Sequence, residues 1–173
     1  MRTAEGGPLA RALRAAGSFL LRVPLPLALL IVLLWGLVIW DLSSTRVPLP
    51  RGSSLGWEFL SNLAHAPLFG LLALWLAAVV LRERDGGWPR PSRARDALVL
   101  GLVLAYGVLD ELHQSRVPGR DASALDVLTD VVGALLVLWI VRSLGRVPER
   151  TLLTRLGLGL LACCASAALA LLS

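Results

Sequence analysis

The chain has 173 residues; 56% are apolar, 17% are charged, and the mean hydropathy is +0.72. Soluble domains average about 45–50% apolar and about 25% charged residues, so a soluble globular domain, a disordered chain and a disulfide scaffold are excluded and a small polytopic membrane protein is expected. The net charge is +5 and all 17 basic residues are arginines. They lie between apolar blocks, so they are expected to orient membrane segments rather than to bind nucleic acid.

Residues 1–23 form a basic N-terminal segment. Leu9, Leu13, Ala16 and Leu20 share one helical face, with Arg11 and Arg14 off it. That pattern fits a short interfacial helix on the cytoplasmic leaflet or a disordered basic tail. The first span covers about 25–40. Arginines precede it, as in a signal peptide, but it is longer than an apolar signal core. Trp40, Asp41 and Leu42 follow it in place of small residues, so it is read as retained. Further spans are expected over about 59–81, 97–114, 124–141 and 152–172. Five spans of about 20 residues take about 100 residues and leave only short connections. The expected fold is an all-α, polytopic transmembrane bundle of about five spans. It has a four-helix core over 24–142 and an additional C-terminal span over 143–173. Trp35, Trp40, Trp57 and Trp88 read as interfacial anchors. Cys163 and Cys164 are adjacent and read as small packing residues.

Alternating sides puts the arginines of the N-terminal tail, the second loop and the fourth loop together. Only Arg46, Arg51, Arg116 and Arg120 fall on the other side. The arginine-rich side is cytoplasmic, which predicts an N-in, C-out arrangement.

Ionisable groups inside spans are costly to bury and mark function by default. Given this topology they collect at the outer ends. Asn62 and His65 lie in the outer half of the second span, Asp110, Glu111, His113 and Gln114 at the outer end of the third, and Asp126 and Asp130 in the first turns of the fourth. Counted from the expected helix ends, His65 and Asp130 lie about 9–10 Å deep and Asp110 about 6–7 Å. Asp126 and Asp130 are i, i+4, hence stacked on one face, and Gly133 continues that face and admits a close neighbour. Tyr106 shares the face of Asp110 by i−4. The third loop is a tight Pro118-Gly119 turn whose Arg116 and Arg120 are expected over the carboxylates as neutralising partners.

The string YGVLDELHQSRVPGRDASALDVLTDVVGALL (106–136) resembles the signature region of the VanZ-like membrane proteins. That signature has a Tyr-Gly, an Asp-Glu pair, a Gln, an Arg turn, an Asp, and an Asn or Asp before a Gly. The upstream SNLAHAPLFGLLAL (61–74) is similar to the family's Asp-Lys-x-x-His element. His65 is in register, while Ser61 and Asn62 stand where Asp and Lys are usual, so that charge pair is absent here. The resemblance covers about 41–136. It implies a bacterial cytoplasmic-membrane protein of a family associated with glycopeptide-antibiotic resistance.

The residues admit two readings. In the first, an outward-facing pocket hydrolyses or transfers groups on lipid-linked or envelope substrates. Asp126, Asp130, His65, Asp110 and Glu111 are then the catalytic candidates. Arg120, Arg116, Gln114, Asn62, Tyr106 and His113 are the substrate-binding ones. In the second, the protein is a non-catalytic accessory or ligand-binding protein whose carboxylates form a structural or cation-binding network. Membrane lipids and a lipid-linked envelope precursor are the expected partners. No metal is expected, because no His-x-x-x-His or Glu-x-x-His spacing occurs. The alternative set is His65, one carboxylate and His113. The sequence names no cofactor. No serine sits in a nucleophile-elbow motif, and the inner halves of the spans show no polar path for a transporter.

Overall fold

Proline and serine set the helix boundaries. Pro24 lacks an N–H and disfavours helix in the residue before it, so it separates the first two helices. Ser92 and Ser123 cap later helices by accepting the backbone N–H of Arg95 (3.4 Å) and of Leu125 (3.2 Å). The computed structural model describes residues 7–45, 55–83, 85–118, 120, 122–144 and 146–172. These form α1 (Pro8–Arg22), α2 (Leu25–Ser44), α3 (Leu55–Val80), α4 (Arg93–Gln114), α5 (Ala124–Ser143) and α6 (Glu149–Leu169), ended by a 3-10 turn (Ala170–Leu172). No strand occurs among the described residues. Of the residues discussed above, Arg46, Arg51 and Gly119 lie outside the described residues.

Four helices, α2, α3, α5 and α6, are long and apolar enough to cross a membrane. The remaining segment read as a span, α4, has 22 residues and carries charge at both ends, Arg93, Arg95 and Asp96 at one and Asp110 and Glu111 at the other. The chain is a multi-pass helical membrane protein. Its helices turn many large apolar side chains outward, such as Leu33, Leu37 and Leu161, each more than 60% exposed. Hydrocarbon rather than water makes that exposure favourable.

α5 packs against α3, α4 and α6, and α2 closes the other side of α3 and α4. The core is Phe69, Leu72 and Ala73 of α3, Val99 and Val103 of α4, Ala134 and Leu138 of α5, and Ile39 of α2. Gly133 makes the α3–α5 approach possible, because a Cβ there would run into the carbonyl of Ala66. This is the close neighbour that the sequence assigned to that glycine. Trp35 is not at an end: it sits within α2 and its Nε1–H donates to the carbonyl of Leu68 (2.9 Å), tying α2 to α3.

At the end opposite the carboxylate cluster, the arginines are structural fasteners. Arg142 holds Asp96 with Nη2–Oδ1 at 2.5 Å, and its Nη1 donates to the carbonyl of Arg90 (2.6 Å). Arg95 pairs with Glu83 at 2.6 Å. The backbone N–H of Arg90 and the Arg95 guanidinium hold the Glu83 carboxyl below the usual glutamate range. The N-terminal segment is helical as α1, and it lies against this end. Ala10 and Leu13 pack with Leu144 and Leu152, and Arg14 stands over the Trp88 ring at 5.5 Å. Part of the apolar face of α1 is thus spent on protein, while Phe19 remains 71% exposed.

Candidate functional site

The opposite end gathers the carboxylates. α3 presents His65, α4 presents Asp110, Glu111 and Gln114, and α5 presents Asp126 and Asp130. Asp110 and Asp130 are each 1% exposed and Glu111 is 6% exposed. The Nδ1–H of His65 donates to Oδ1 of Asp130 at 3.0 Å. α3 begins at Leu55, one turn before the expected start, so His65 lies about 15 Å along the helix rather than about 9–10 Å. Asp130, six residues into α5, is about 9 Å along. The two groups thus meet although they lie at different distances from their helix starts, because α3 begins about one turn further out than α5.

Gln114 is the hub on α4. Its Nε2 donates to Oδ2 of Asp110 (2.8 Å) and to Oε1 of Glu111 (3.3 Å), while its Oε1 accepts from Nη1 of Arg120 (3.1 Å). Glu111 Oε2 accepts the backbone N–H of Ser123 at 2.7 Å. The carboxylate thereby fastens the end of α4 to the N-terminus of α5, where negative charge is favoured. Ser123 and Asp126 have the spacing of a capping box, but the Ser123 N–H that such a box gives to Asp126 goes to Glu111 instead.

The two arginines differ from expectation. Arg120 makes no ion pair with a carboxylate among the described residues. Its Nη2 donates to the carbonyls of Leu42 (3.2 Å) and Thr45 (2.8 Å), where the end of α2 leaves carbonyls without helical partners. Its hydrogen bond toward the acids runs through the Gln114 side chain. Arg116 is exposed in the turn after α4.

Three further candidates lie away from the acids. The Tyr106 hydroxyl donates to the carbonyl of Gly36 (2.6 Å) and so points to α2. His113 stacks on Trp40 with ring centroids 3.8 Å apart, and its Nε2 is 2.7 Å from Ser44 Oγ. Asn62 reaches the carbonyl of Ala167 on α6 at 3.5 Å. The i, i+3 and i−4 relations that grouped these residues hold along each helix, but a helix face spans more than one neighbour.

A cleft of about 170 Å³ opens between α2, α3 and α4, with His65, Asp110, Gln114 and Arg120 among its lining. Ser43, Thr45 and Ser61 line it too. Behind His65, Glu111 and Asp126 each bring a ligand atom within 4.8 Å of the others and of His65. Oδ1 of Asp110, Oδ1 of Asp126 and Oδ2 of Asp130 are buried without a hydrogen-bond partner among the described residues. Among the described residues, only Asp130 of the four carboxylates has an ion-pair partner in the cluster, and that partner is His65. Such an excess of buried negative charge is balanced by protons or by a bound cation.

The family model described as VanZ/LLP1 matches residues 25–145, from the start of α2 to just beyond α5. No curated protein and no solved structure matches the chain.

Proposed function

The chain belongs to the VanZ/LLP1 family, and we propose that it is a bacterial cytoplasmic-membrane protein that hydrolyses or transfers a group on a lipid-linked or cell-envelope substrate. In this reading α4 is a fifth span, the N-terminus is inside, and the cluster of acids faces outward. The observation that carries the reading is the His65–Asp130 bond of 3.0 Å, beside the unpartnered Oδ1 of Asp126 and at the wall of a cleft. An imidazole oriented by one carboxylate with another close by is equipped for general acid/base work. Asp130 fixes the ring, and His65 and Asp126 are the reacting groups. The cleft walls of Ile39, Leu68 and Phe69 suit the apolar part of a lipid-linked substrate.

The accessory reading is favoured by the fastening of Glu111 to the α5 N-terminus and of Asp110 to Gln114. One comparison separates the two. Lipids and envelope precursors are profiled in a deletion strain, and in that strain carrying wild-type protein or Asp130→Asn. Accumulation of one precursor in the deletion and Asp130→Asn strains, relieved by wild type, supports the enzyme. An unchanged precursor profile in the deletion strain contradicts it. The orientation is tested by reporter fusions. Those after Asp85 and Glu149 should report cytoplasm and one after Gly119 the outside. A periplasmic signal after Asp85 would place the cluster at the inner leaflet.

A further inference from the structure

We propose that His65, Glu111 and Asp126 bind one divalent transition-metal cation, with Asp130 as the outer partner that orients His65. The three come from α3, α4 and α5, so the bundle itself builds the set. Their ligand atoms lie within 4.8 Å of one another. Tetrahedral bonds of about 2.0–2.2 Å place ligand atoms about 3.3–3.6 Å apart, so the set closes on an ion by side-chain rotations that move ligand atoms by up to about 1.5 Å.

The arrangement around the set has the form of a metal site. Metal-bound imidazoles usually donate their second ring N–H to a carboxylate. Here the Nδ1–H of His65 is given to Asp130 at 3.0 Å, which leaves Nε2 as the ligand atom. Asp130 is 1% exposed, is joined to the set through that bond, and keeps Oδ2 buried without a partner among the described residues. Asp126 offers Oδ1 in the same condition. Glu111 has one oxygen committed to the Ser123 N–H at 2.7 Å, and the other receives only a long 3.3 Å contact from Gln114. A nitrogen with two carboxylate oxygens suits zinc or manganese better than an all-oxygen ion such as calcium. His113, the second histidine of the alternative metal set, is occupied by Trp40 and Ser44 and takes no part. With three protein ligands and an open position, such an ion activates a water or polarises a carbonyl or phosphoryl oxygen.

The inference uses the same side chains as the function proposed above but makes His65 and Asp126 ligands of the ion rather than the acid and base, and it can be tested without substrate. Full-length protein carrying Cys164→Ser, to remove the exposed thiol, is titrated with Co²⁺ in detergent and followed by visible absorption. One Co²⁺ per chain is expected. Asp126→Asn and His65→Ala should each weaken binding more than tenfold, and Asp130→Asn by about 10–100-fold. His113→Ala should leave it unchanged. Absence of binding by folded protein, or wild-type affinity in Asp126→Asn and Glu111→Gln, overturns the metal site. Asp126→Asn is nearly isosteric, so the test does not depend on the survival of His65→Ala. Metal binding as expected in a protein whose deletion leaves precursors unchanged upholds the site and overturns the envelope chemistry. Altered precursors with no Co²⁺ uptake do the reverse.

Discussion

Asp130 and His65 join α5 to α3 through a 3.0 Å bond, one turn from the point where Gly133 of α5 meets the carbonyl of Ala66. The close approach of the two helices and the polar bond are one feature. A side chain at 133 would separate the backbones and draw the carboxylate from the imidazole.

Gly133→Ala should therefore destabilise the bundle by about 1–3 kcal/mol, the range for overpacking a well-packed interior. The measurement is thermal or denaturant unfolding in detergent. Gly101→Ala is the control, because nothing lies within 4 Å of a Cβ there. Equal stability of the two variants would mean that α3 and α5 are not held at this distance.

Tyr106→Phe removes the 2.6 Å bond to the carbonyl of Gly36 and little else. The expected loss is about 0.5–1.5 kcal/mol of stability, with function retained, because the hydroxyl faces α2. Loss of function without loss of stability would return Tyr106 to the site. Unfolding curves and the precursor profile, taken together, decide the point.

Arg120→Ala should cost more than Arg116→Ala, both in stability and in function. Arg120 binds Gln114 and two carbonyls at the end of α2, and Gln114 in turn holds Asp110 and Glu111. Gln114→Ala should reproduce the Arg120→Ala defect, and the double variant should be little worse than either, since the residues form one chain of bonds. Equal, small effects of both arginine variants would reduce the loop to a connector.

Composition and hydropathy made the helical membrane bundle legible, and helical spacing made the stack of Asp126 and Asp130 on α5 legible. Partner choice across helices was less so. Tyr106, His113 and Asp110 share or border one face of α4, yet only Asp110 reaches the cleft, because Trp40 and the Gly36 carbonyl of α2 take the other two. Loop charge predicts arginines that neutralise the acids. Arg120 instead meets the carbonyls at the end of α2, whose extent to Ser44 hydropathy does not mark. The Glu111–Ser123 junction was not legible, because the spacing of Ser123 and Asp126 marks the start of α5 but assigns the Ser123 N–H to Asp126, whereas a residue from another helix takes it.

The central claim is that the carboxylates beside His65 act rather than merely pack. The most direct measurement is the precursor profile of a deletion strain carrying Asp126→Asn/Asp130→Asn, with membrane abundance measured in the same cells. Asn keeps the shape and much of the hydrogen bonding but cannot act as base, nucleophile or strong cation ligand. General acid/base work alone contributes about 10²–10⁴ in rate. The account predicts normal insertion with the profile of the empty deletion strain. A stably inserted double variant that restores the wild-type profile would contradict it.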